Sequence, residues 1–574
     1  DGNVAIGYQA MLANTNAGGN VAVGMNAGDS NLTGGSNVWV GRNAGGATTD
    51  VDSTVCIGRD AGAANMTNAA DGTVAIGYTA GAALLGGGEN TFVGYAAGTS
   101  CTSADSNTLI GHSCGDALVG GGDNVFVGQN AGGATTAGAQ MVIIGRNAGT
   151  AVITADAAGA VIIGNNAGVA LTEGPRNVAI GYQALDAVTT GADNTAVGYQ
   201  ALTTAGTSSG RNTAVGSYAL TTYNRAGNNN NTAIGYGALL ALTTGENNVA
   251  LGSVALTALT TGADNIAIGM DAMLAADGAE SDNIAIGRNA MTNADNDGVA
   301  KNIVIGNYAG DGMGGSNAAH VGNIFIGHLA ASGTWTGTDA SSANIIIGYG
   351  TCGGAFSQAT QNTIIGDASA NEPGLTSGVC NTGVGKLSLR NLTSGGGNTT
   401  LGYNTFLSGG TVTNEIVISA CEAGTALTGQ GTQTVILGDE GHHITCDWGA
   451  NATWSHASDE RIKKDIEDSN LGLDFIKDLR PRTFKKIPCS EYPKEFSGYN
   501  ANKTETKNPD KIHYGFVAQE VKEAMDKAGH SEFPVWSENR DGMQELGEAE
   551  FITPLIKAVQ ELSAKVEELE AKIN

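Results

Sequence analysis

The stretch Asn3-Val4-Ala5-Ile6-Gly7-Tyr8-Gln9-Ala10 decides the fold, because close copies of it fill most of the chain. The pattern of Asn, three mostly apolar residues and Gly returns at residues 20–24, 177–181, 265–269 and 344–348. From Gly7 to Gly402 the copies follow at intervals of roughly 17 to 21 residues, over roughly two dozen repeats. This period predicts a solenoid, in which each repeat forms one coil and covers the apolar side of its neighbours.

The composition agrees with a β-solenoid and argues against several other classes of protein. The 574 residues include 88 Gly and 8 Pro, and 41% of them are hydrophobic. Gly does not recur at every third position as in collagen, and the hydrophobic content is too high for a disordered chain. The net charge of -27 comes mostly from the repeats, which argues against a nucleic acid partner. No apolar run is long enough to cross a bilayer, so we expect no membrane insertion.

The three residues before each motif Gly predict how a coil is covered. We call the first and third of them the flank positions, and the second the middle position. The flank positions hold Val, Ile, Thr or Leu and share one face of a strand, which we expect to be the coil interior. The middle position should then point outward, yet it is mostly apolar, as in Trp39, Phe92 and Phe126. Since a strand with two apolar faces is buried on both, we predict that other copies cover the outer face in a homotrimer.

Other recurring positions predict details of the coil. The third residue after the Gly, the small position, is mostly Ala, so a second wall should pack closely there. The fourth residue, the switch position, is Gly from Gly28 to Gly168 and Leu from Leu185 to Leu256, which predicts two subtypes of coil. The Asn before the strand should stack at one corner and bond its equivalents and the turn backbone. The motif Gly should adopt a positive φ where the strand bends.

A few residues stand out from this monotony. The longest inserts run over residues 311–321 and 332–343, and we expect His320, His328 and Trp335 to decorate the shaft there. The 8 Cys show no paired spacing, which favours buried thiols over disulfides. His442-His443 with Cys446 is a weak candidate for a metal site against an ordinary structural role, so we predict no metal and no cofactor.

The repeat resembles the head repeats of trimeric autotransporter adhesins, whose Asn-x-Ala-Ile-Gly motif builds a left-handed parallel β-roll within a trimer. It is also similar to the shaft repeats of phage and viral fibres. The resemblance covers about residues 1–402. It implies an architecture and leaves the biology open, because one fold serves many functions.

The chain changes character after the repeats, which gives four predicted parts. Residues 1–402 form the repetitive β-solenoid shaft, and residues 403–457 form a transition that still contains strand-like segments. From Ser458 the chain is rich in Lys, Glu and Asp and poor in Gly. We expect a small α+β domain at 458–552 and a coiled coil at 553–574.

Three motifs mark the C-terminal part. They are His456-Ala457-Ser458-Asp459-Glu460-Arg461-Ile462-Lys463-Lys464-Asp465-Ile466, Leu479-Arg480-Pro481-Arg482-Thr483-Phe484 and His513-Tyr514-Gly515-Phe516-Val517-Ala518-Gln519-Glu520. In this order they resemble the intramolecular chaperone of endosialidase family, the S74 peptidases, over about residues 456–574. Members of this family sit at the C-terminus of trimeric phage fibres, assemble the trimer and then cut themselves off.

The resemblance implies a scissile bond between Ala457 and Ser458, with Ser458 as the nucleophile and Lys463 as its base. His513 and Gln519 match family positions and have possible supporting roles. The chemistry is reasonable, because a Ser hydroxyl needs a neighbouring base and burial can lower the pKa of a Lys enough to serve. Without the resemblance, Ser458 and the acidic residues after it would be read as the N-cap of a helix. Any enzymatic activity would be a single self-cleavage with no external substrate.

The end of the chain has the heptad spacing of a coiled coil. The apolar residues that carry it are Leu555, Val559, Leu562, Val566, Leu569 and Ile573. This spacing predicts a short parallel coiled coil, with a lone amphipathic helix on a globular core as the alternative.

Together these features predict a structural and adhesive trimeric fibre of a virus or phage, exposed on the virion outside the cell. Its C-terminal domain would drive trimer assembly, so residues 458–574 should be needed for folding. The expected partners are the other copies, a host-cell surface receptor that is a glycan or a protein, and an upstream virion attachment protein, since Asp1 lies inside a repeat. The alternatives are a bacterial trimeric adhesin at the cell surface and a tailspike that degrades glycans.

Overall fold

The structure is a computed structural model that divides into two units, Asp1–Ala457 and Ser458–Asn574. It describes all residues except 1, 205, 207, 296–297, 314–318, 334, 336–339, 355–357, 371–373, 421–424, 440–442, 449–453, 456–459, 461–462, 497–498, 507, 539–541 and 574. Each unit is described by itself.

The first unit is a parallel β-solenoid of about 24 turns, as predicted. Its strands are β1 (Val4–Ile6), β2 (Val21–Val23), β3 (Val38–Val40), β4 (Val55–Ile57), β5 (Val74–Ile76), β6 (Thr91–Val93), β7 (Thr108–Ile110), β8 (Val125–Val127), β9 (Val142–Ile144), β10 (Val161–Ile163), β11 (Val178–Ile180), β12 (Thr195–Val197), β13 (Ser209–Gly210), β14 (Thr213–Val215), β15 (Gly227–Asn228), β16 (Thr232–Ile234), β17 (Val249–Leu251), β18 (Ile266–Ile268), β19 (Ile284–Ile286), β20 (Ile303–Ile305), β21 (Ile324–Ile326), β22 (Ile345–Ile347), β23 (Thr363–Ile365), β24 (Thr382–Val384), β25 (Thr399–Leu401), β26 (Thr405–Phe406), β27 (Ile416–Ser419), β28 (Leu427–Thr428), β29 (Thr434–Gly438), β30 (His443–Asp447) and β31 (Trp454–Ser455). Single 3-10 turns occur at Asn68–Ala70 and Ala155–Ala157.

The second unit is small and mixes helices with two-stranded sheets. Its elements are α1 (Leu473–Asp478), β32 (Arg482–Phe484), β33 (His513–Gly515), α2 (Ala518–Lys527), β34 (Trp536–Glu538), β35 (Gln544–Leu546) and α3 (Ile552–Ile573). Single 3-10 turns lie at Cys489–Glu491 and Glu548–Phe551. β32 pairs antiparallel with β33, and β34 pairs antiparallel with β35.

One sheet of 27 strands runs through the whole first unit. Equivalent residues of successive repeats pair with each other, as Val4 does with Val21 and Ile6 with Val23. The parallel stack continues beyond Gly402 through β27 and β29. It then ends in an antiparallel turn, where β30 pairs with β29 and β31 pairs with β30.

The prediction of which strand face is the coil interior was wrong. The middle residues are fully buried, as the 0% exposure of Trp39, Phe92 and Phe126 shows. The flank residues on either side of them remain partly exposed in nearly every strand. The middle side chain therefore fills the coil, and the Val and Ile of the flank positions form its outer surface. Alternation along a strand shows which residues share a face, but when both faces are apolar it does not show which face is the interior.

The two predicted subtypes of coil differ in how they fill the same interior. At β10 the middle residue is Ile162 and the switch residue is Gly168, whose missing side chain leaves room for it: a Cβ there would lie 3.2 Å from Ile162 Cδ1. In the next coil the middle residue is Ala179 and the switch residue is Leu185, both fully buried. In these two coils a large middle residue accompanies a small switch residue, and the reverse, which keeps the interior close-packed. Where both are small, as with Ala22 and Gly28, the switch Gly leaves room for the middle residue of the next coil, Trp39.

A ladder of Asn side chains ties the coils together at one corner. Asn231 donates from its Nδ2 to the carbonyl oxygen of Gly245 at 3.0 Å and accepts from the backbone N–H of Asn248 at 3.0 Å. The same link from side-chain oxygen to the next backbone N–H runs without interruption from Asn177 to Glu415. The predicted amide stack is therefore confirmed, and each Asn satisfies buried backbone groups of its own coil and the next.

The motif Gly is required by the spacing of the coils as well as by its backbone angle. Gly7 has a φ of 136°, and a Cβ built on it would lie 2.3 Å from the carbonyl oxygen of Gly24. The motif Gly of the following coils make the same close approach to their successors. Any larger residue would push two coils apart, so the bend is restricted to Gly.

The residues expected to decorate the shaft are mostly buried. His320 and Trp335 are 1% and 2% exposed, and their rings meet edge to face at 4.6 Å. Burial lowers the pKa of His320 to about 4, while its Nδ1 accepts a hydrogen bond from the backbone N–H of Ser341. Only His328 is exposed, where its ring stacks on Tyr349. Within the described part of the inserts, His320 and Trp335 therefore add to the core of the coil.

Exchanging the middle and switch residues between subtypes tests the packing rule. We expect Ile162→Ala alone to cost about 2–5 kcal/mol of local stability, because it leaves a cavity next to Gly168. The double change of Ile162→Ala with Gly168→Leu should recover much of that loss, because it recreates the pairing of Ala179 with Leu185. The backbone φ of the switch residue is nearly the same in the two coils, 53° at Gly168 and 56° at Leu185. Leu can therefore replace Gly168 without a change of backbone conformation. Hydrogen exchange of the β10 amides measures the effect. Equal protection in the single and double variants would contradict the rule.

Candidate functional site

The second unit has a small hydrophobic core that positions its functional residues. Its buried members are Leu471, Phe475, Val521, Ala524, Met525 and Val535. They come from α1, α2 and the segments beside them, and the ring of Phe475 meets that of Phe533 edge to face at 6.1 Å. So few buried side chains give a marginal core, since small domains bury a small fraction of their surface.

The structure brings the second and third sequence motifs together. β32 carries the second motif and β33 the third, and they pair so that Phe484 lies opposite His513. The rings of these two residues stack at 5.7 Å. His513 is half-buried in this stack, whereas Gln519 is exposed at the start of α2. The two proposed supporting residues therefore lie in different surroundings.

Glu520 joins the two motifs, and sequence reasoning did not single it out. Arg482 donates from its Nε to Glu520 Oε2 at 2.9 Å and also bonds the other carboxylate oxygen, while Arg480 lies 3.8 Å away. The hydrogen bonds from Arg482 hold the pKa of Glu520 below its usual value. The paired, forked geometry orients α2 against β32, although the partial exposure of both groups weakens the ion pair.

Helix α3 has one buried face and one bare face. Pro554 and Ala558 are buried against the rest of the unit. On the same side, Glu561 Oε2 accepts the backbone N–H of Leu473 at 2.8 Å and so caps the first turn of α1. This long-range cap anchors the start of α3 to the core.

The predicted heptad residues lie on the bare face of α3. Their exposures are 52% for Leu555, 59% for Val559, 50% for Leu562, 46% for Val566, 57% for Leu569 and 82% for Ile573. All residues of 562–573 are exposed, so the second half of the helix projects from the unit without packing on it. An isolated helix of this length is marginal in water, and the apolar seam of α3 is uncovered in the described unit.

An apolar groove opens beside the start of α3. It has a volume of about 650 Å³ and is lined mainly by Leu479, Pro481, Tyr514, Phe516, Phe551 and Leu555. Arg482, Thr483 and Glu548 add polar groups to its lining. Tyr514, at 80% exposure, and Leu555 leave apolar surface at the mouth of the groove. The groove connects the second and third motifs to the seam of α3.

The structure leaves the predicted catalytic pair as a prediction. Ala457 and Ser458 lie outside the described residues. Lys463 is exposed, and its backbone N–H donates to the carbonyl oxygen of Glu460 at 3.0 Å. The neighbouring Lys464 is also exposed and lies 3.8 Å from Asp465. The chain divides into its two units between residues 457 and 458, the bond that the resemblance marks as scissile.

The outer surface of the shaft strands is a second candidate site. Two columns of flank residues expose Val and Ile along the solenoid, such as Ile110 and Val125 at 38% each. The residue after the motif Gly adds aromatic rings, as where Tyr95 stacks between Tyr78 at 5.1 Å and His112 at 4.8 Å. We call these columns the flank wall. The column of third residues is Val, Ile or Leu throughout the repeats, while the column of first residues also holds Thr, as at Thr91 and Thr108. An apolar column of this length is not typical of a monomer surface.

The other candidates are not supported by the described residues. His442 lies outside them, and His443 and Cys446 are three apart on β30, so they point to opposite faces. Within the described ranges no three metal-binding side chains cluster. The described Cys form no disulfide, and burial raises the pKa of Cys101 to about 11. Among the described helices, none has the length and apolarity needed to cross a membrane.

Comparison with known proteins agrees with the motifs of the second unit. A search of curated proteins finds no match to the chain. Residues 458–530 match the model of the family described as chaperone of endosialidase, peptidase S74. The match begins at Ser458, the first residue of the second unit. The chain therefore carries a C-terminal chaperone-of-endosialidase domain of the peptidase S74 family after a parallel β-solenoid shaft.

Proposed function

We propose that the protein is the subunit of a trimeric fibre whose C-terminal domain aligns three chains while the shaft folds. The observation that carries this proposal is the presence of two uncovered apolar surfaces in one chain, the flank wall of the shaft and the seam of α3. Both have the regular spacing of surfaces that pair with the same surface of another copy. A second copy of the chain is the partner that matches both at once.

The flank wall supports assembly along the whole shaft. With about 24 turns and a spacing of about 4.8 Å between strands, it is roughly 110 Å long. Burial of apolar surface contributes about 25 cal/mol per Å², so even partial coverage of such a wall is a large driving force. The sequence alone predicted that the middle residues contact the other chains. We propose instead that the flank residues make these contacts, because they are the ones exposed to solvent.

The C-terminal domain supplies the alignment that the shaft lacks. Each coil presents nearly the same flank residues, so two shafts displaced by one coil would make almost the same contacts. Long-range parallel pairing is also slow, because much chain must be ordered before contacts reward it. A domain that assembles first at one end would fix the register of all coils above it. This is the chaperone function that we propose for residues 458–574.

The biological setting is proposed from the resemblance of the repeats and of the domain. We propose an appendage of a virus or phage, in which the shaft attaches to a host-cell receptor that is a glycan or a protein. A bacterial surface adhesin and a glycan-degrading tailspike are the alternatives. The tailspike is less favoured, because a glycosidase needs a groove with paired carboxylates. In the described part of the inserts, His320 and Trp335 are buried in the coil.

We further propose that the domain releases itself at the bond between Ala457 and Ser458. The division between the two units falls at this bond, which suits a fragment that leaves after assembly. In a single chain Lys463 is exposed to solvent. Burial disfavours the charged form of a Lys side chain, so assembly that buries Lys463 beside Ser458 would let it accept the proton of the Ser458 hydroxyl. Cleavage would then follow assembly and could not precede it.

Changing the flank wall to acid should separate the chains. We expect Ile110→Asp with Val125→Asp to lower the fraction of assembled chains strongly, because charges would be buried at each interface. The matched control is Leu85→Asp with Val119→Asp, which changes residues of 48% and 47% exposure outside the strands. Native mass spectrometry measures the number of chains. A monomeric unaltered chain, or equal loss in both pairs, would contradict the proposal.

Cleavage should depend on Ser458 and on Lys463 but much less on Lys464. We expect the unaltered chain to give two fragments after folding, and Ser458→Ala and Lys463→Ala to stay whole yet assemble. Lys464→Ala is the matched control, since it removes the same charge one residue away. Mass spectrometry in denaturant measures whether each of the four chains is whole or cut. Cutting in Ser458→Ala at the unaltered rate would rule out this nucleophile.

A further inference from the structure

The apolar groove of the second unit adjoins the seam of α3. Leu555 both lines the groove and begins the predicted heptad pattern, and it is half exposed. Ile552 lies one heptad before Val559, so it extends the seam by one position toward the groove. The groove and the seam are therefore one continuous apolar surface on the described part of the unit.

The seam by itself does not specify three chains. Ile552, Val559, Val566 and Ile573 occupy one heptad position and are all β-branched, while Leu555, Leu562 and Leu569 occupy the other. In parallel coiled coils this distribution favours two strands. If the assembly has three chains, contacts outside the seam must select that number. The groove is an apolar surface beside the seam that can do so.

Symmetry brings opposite flanks of the helix together. Successive residues of a helix are about 100° apart, so Pro554 lies to one side of Leu555 and Ile556 to the other. The groove is on the side of Pro554, where α3 packs on α1, and Ile556 is exposed on the opposite side. In a parallel assembly related by rotation, one flank of each helix meets the other flank of its neighbour. The groove of one copy therefore faces Ile552 and Ile556 of the next.

We infer that the groove is a socket for Ile552 and Ile556 of a neighbouring copy, and that this contact sets the number of chains. The inference rests on the proposed assembly through the C-terminal domain. Ile552 and Ile556 are large apolar residues, yet they are 58% and 54% exposed. The groove is mainly apolar, which matches two Ile side chains.

Directed disulfide formation between two differently tagged chains tests the socket. One full-length chain carries Thr483→Cys at the groove, and the other carries Ile556→Cys. Both also carry Cys380→Ser and Cys489→Ser, because these native thiols are exposed or half-buried. Since each chain has one introduced Cys, a linked pair must join two copies. Ile466→Cys replaces Ile556→Cys as the matched control, because Ile466 is 63% exposed and outside the groove.

We expect mild oxidation to link the Thr483→Cys chain to the Ile556→Cys chain at least tenfold more than to the Ile466→Cys chain. If the chains sediment as an oligomer but Thr483→Cys links equally to both partner variants, or to neither, the socket is refuted and the proposed assembly is not. Monomers before oxidation would instead refute the proposed function. Extra mass on each unlinked chain in native mass spectrometry would assign the groove to a small ligand and also overturn the inference.

Discussion

The Asn ladder is the interaction on which the rest of the shaft depends. A coil with three-residue strands leaves many backbone groups buried at its corners, and unpaired groups of this kind cost about 1–3 kcal/mol each. Each Asn satisfies them in two coils at once, as Asn231 does for Gly245 and Asn248. Where the stack ends, Glu415 replaces Asn and accepts the backbone N–H groups of Ser408 and Gly431. Repetition of one corner thus fixes the stacking of the coils that carry this Asn, including all those from Asn177 to Glu415.

The same repetition creates the problem that the second unit addresses. Identical corners and identical flank residues make coils interchangeable, so the shaft has little information about which coil of one chain belongs beside which coil of another. The second unit has no repeats, and its contacts are specific, as between Arg482 and Glu520 or between Glu561 and Leu473. Its surface also includes exposed apolar residues, those of the seam of α3. A specific unit with an uncovered seam suits the alignment of several repetitive chains.

Much of the shaft could be predicted from sequence because each feature recurs in many repeats. The coil period, the Asn stack and the bend at Gly were all visible in this way. The interior face was not, since Val38, Trp39 and Val40 are all apolar; the opposite changes in size at Ile162 with Gly168 and Ala179 with Leu185 were the available signal. In the second unit, the roles of Glu520 and Glu561 depend on contacts across 38 and 88 residues. A single occurrence of such a contact leaves no pattern in one sequence.

The most direct test of this account is to fold the shaft without the second unit. The measurement compares residues 1–457 with the full chain and records soluble yield and the distribution of masses by analytical ultracentrifugation. The account predicts that the shortened chain gives insoluble or polydisperse material, because slipped registers of the coils are nearly equal in energy. A uniform trimer of residues 1–457 at the full yield of the complete chain would contradict it, since the shaft would then align itself.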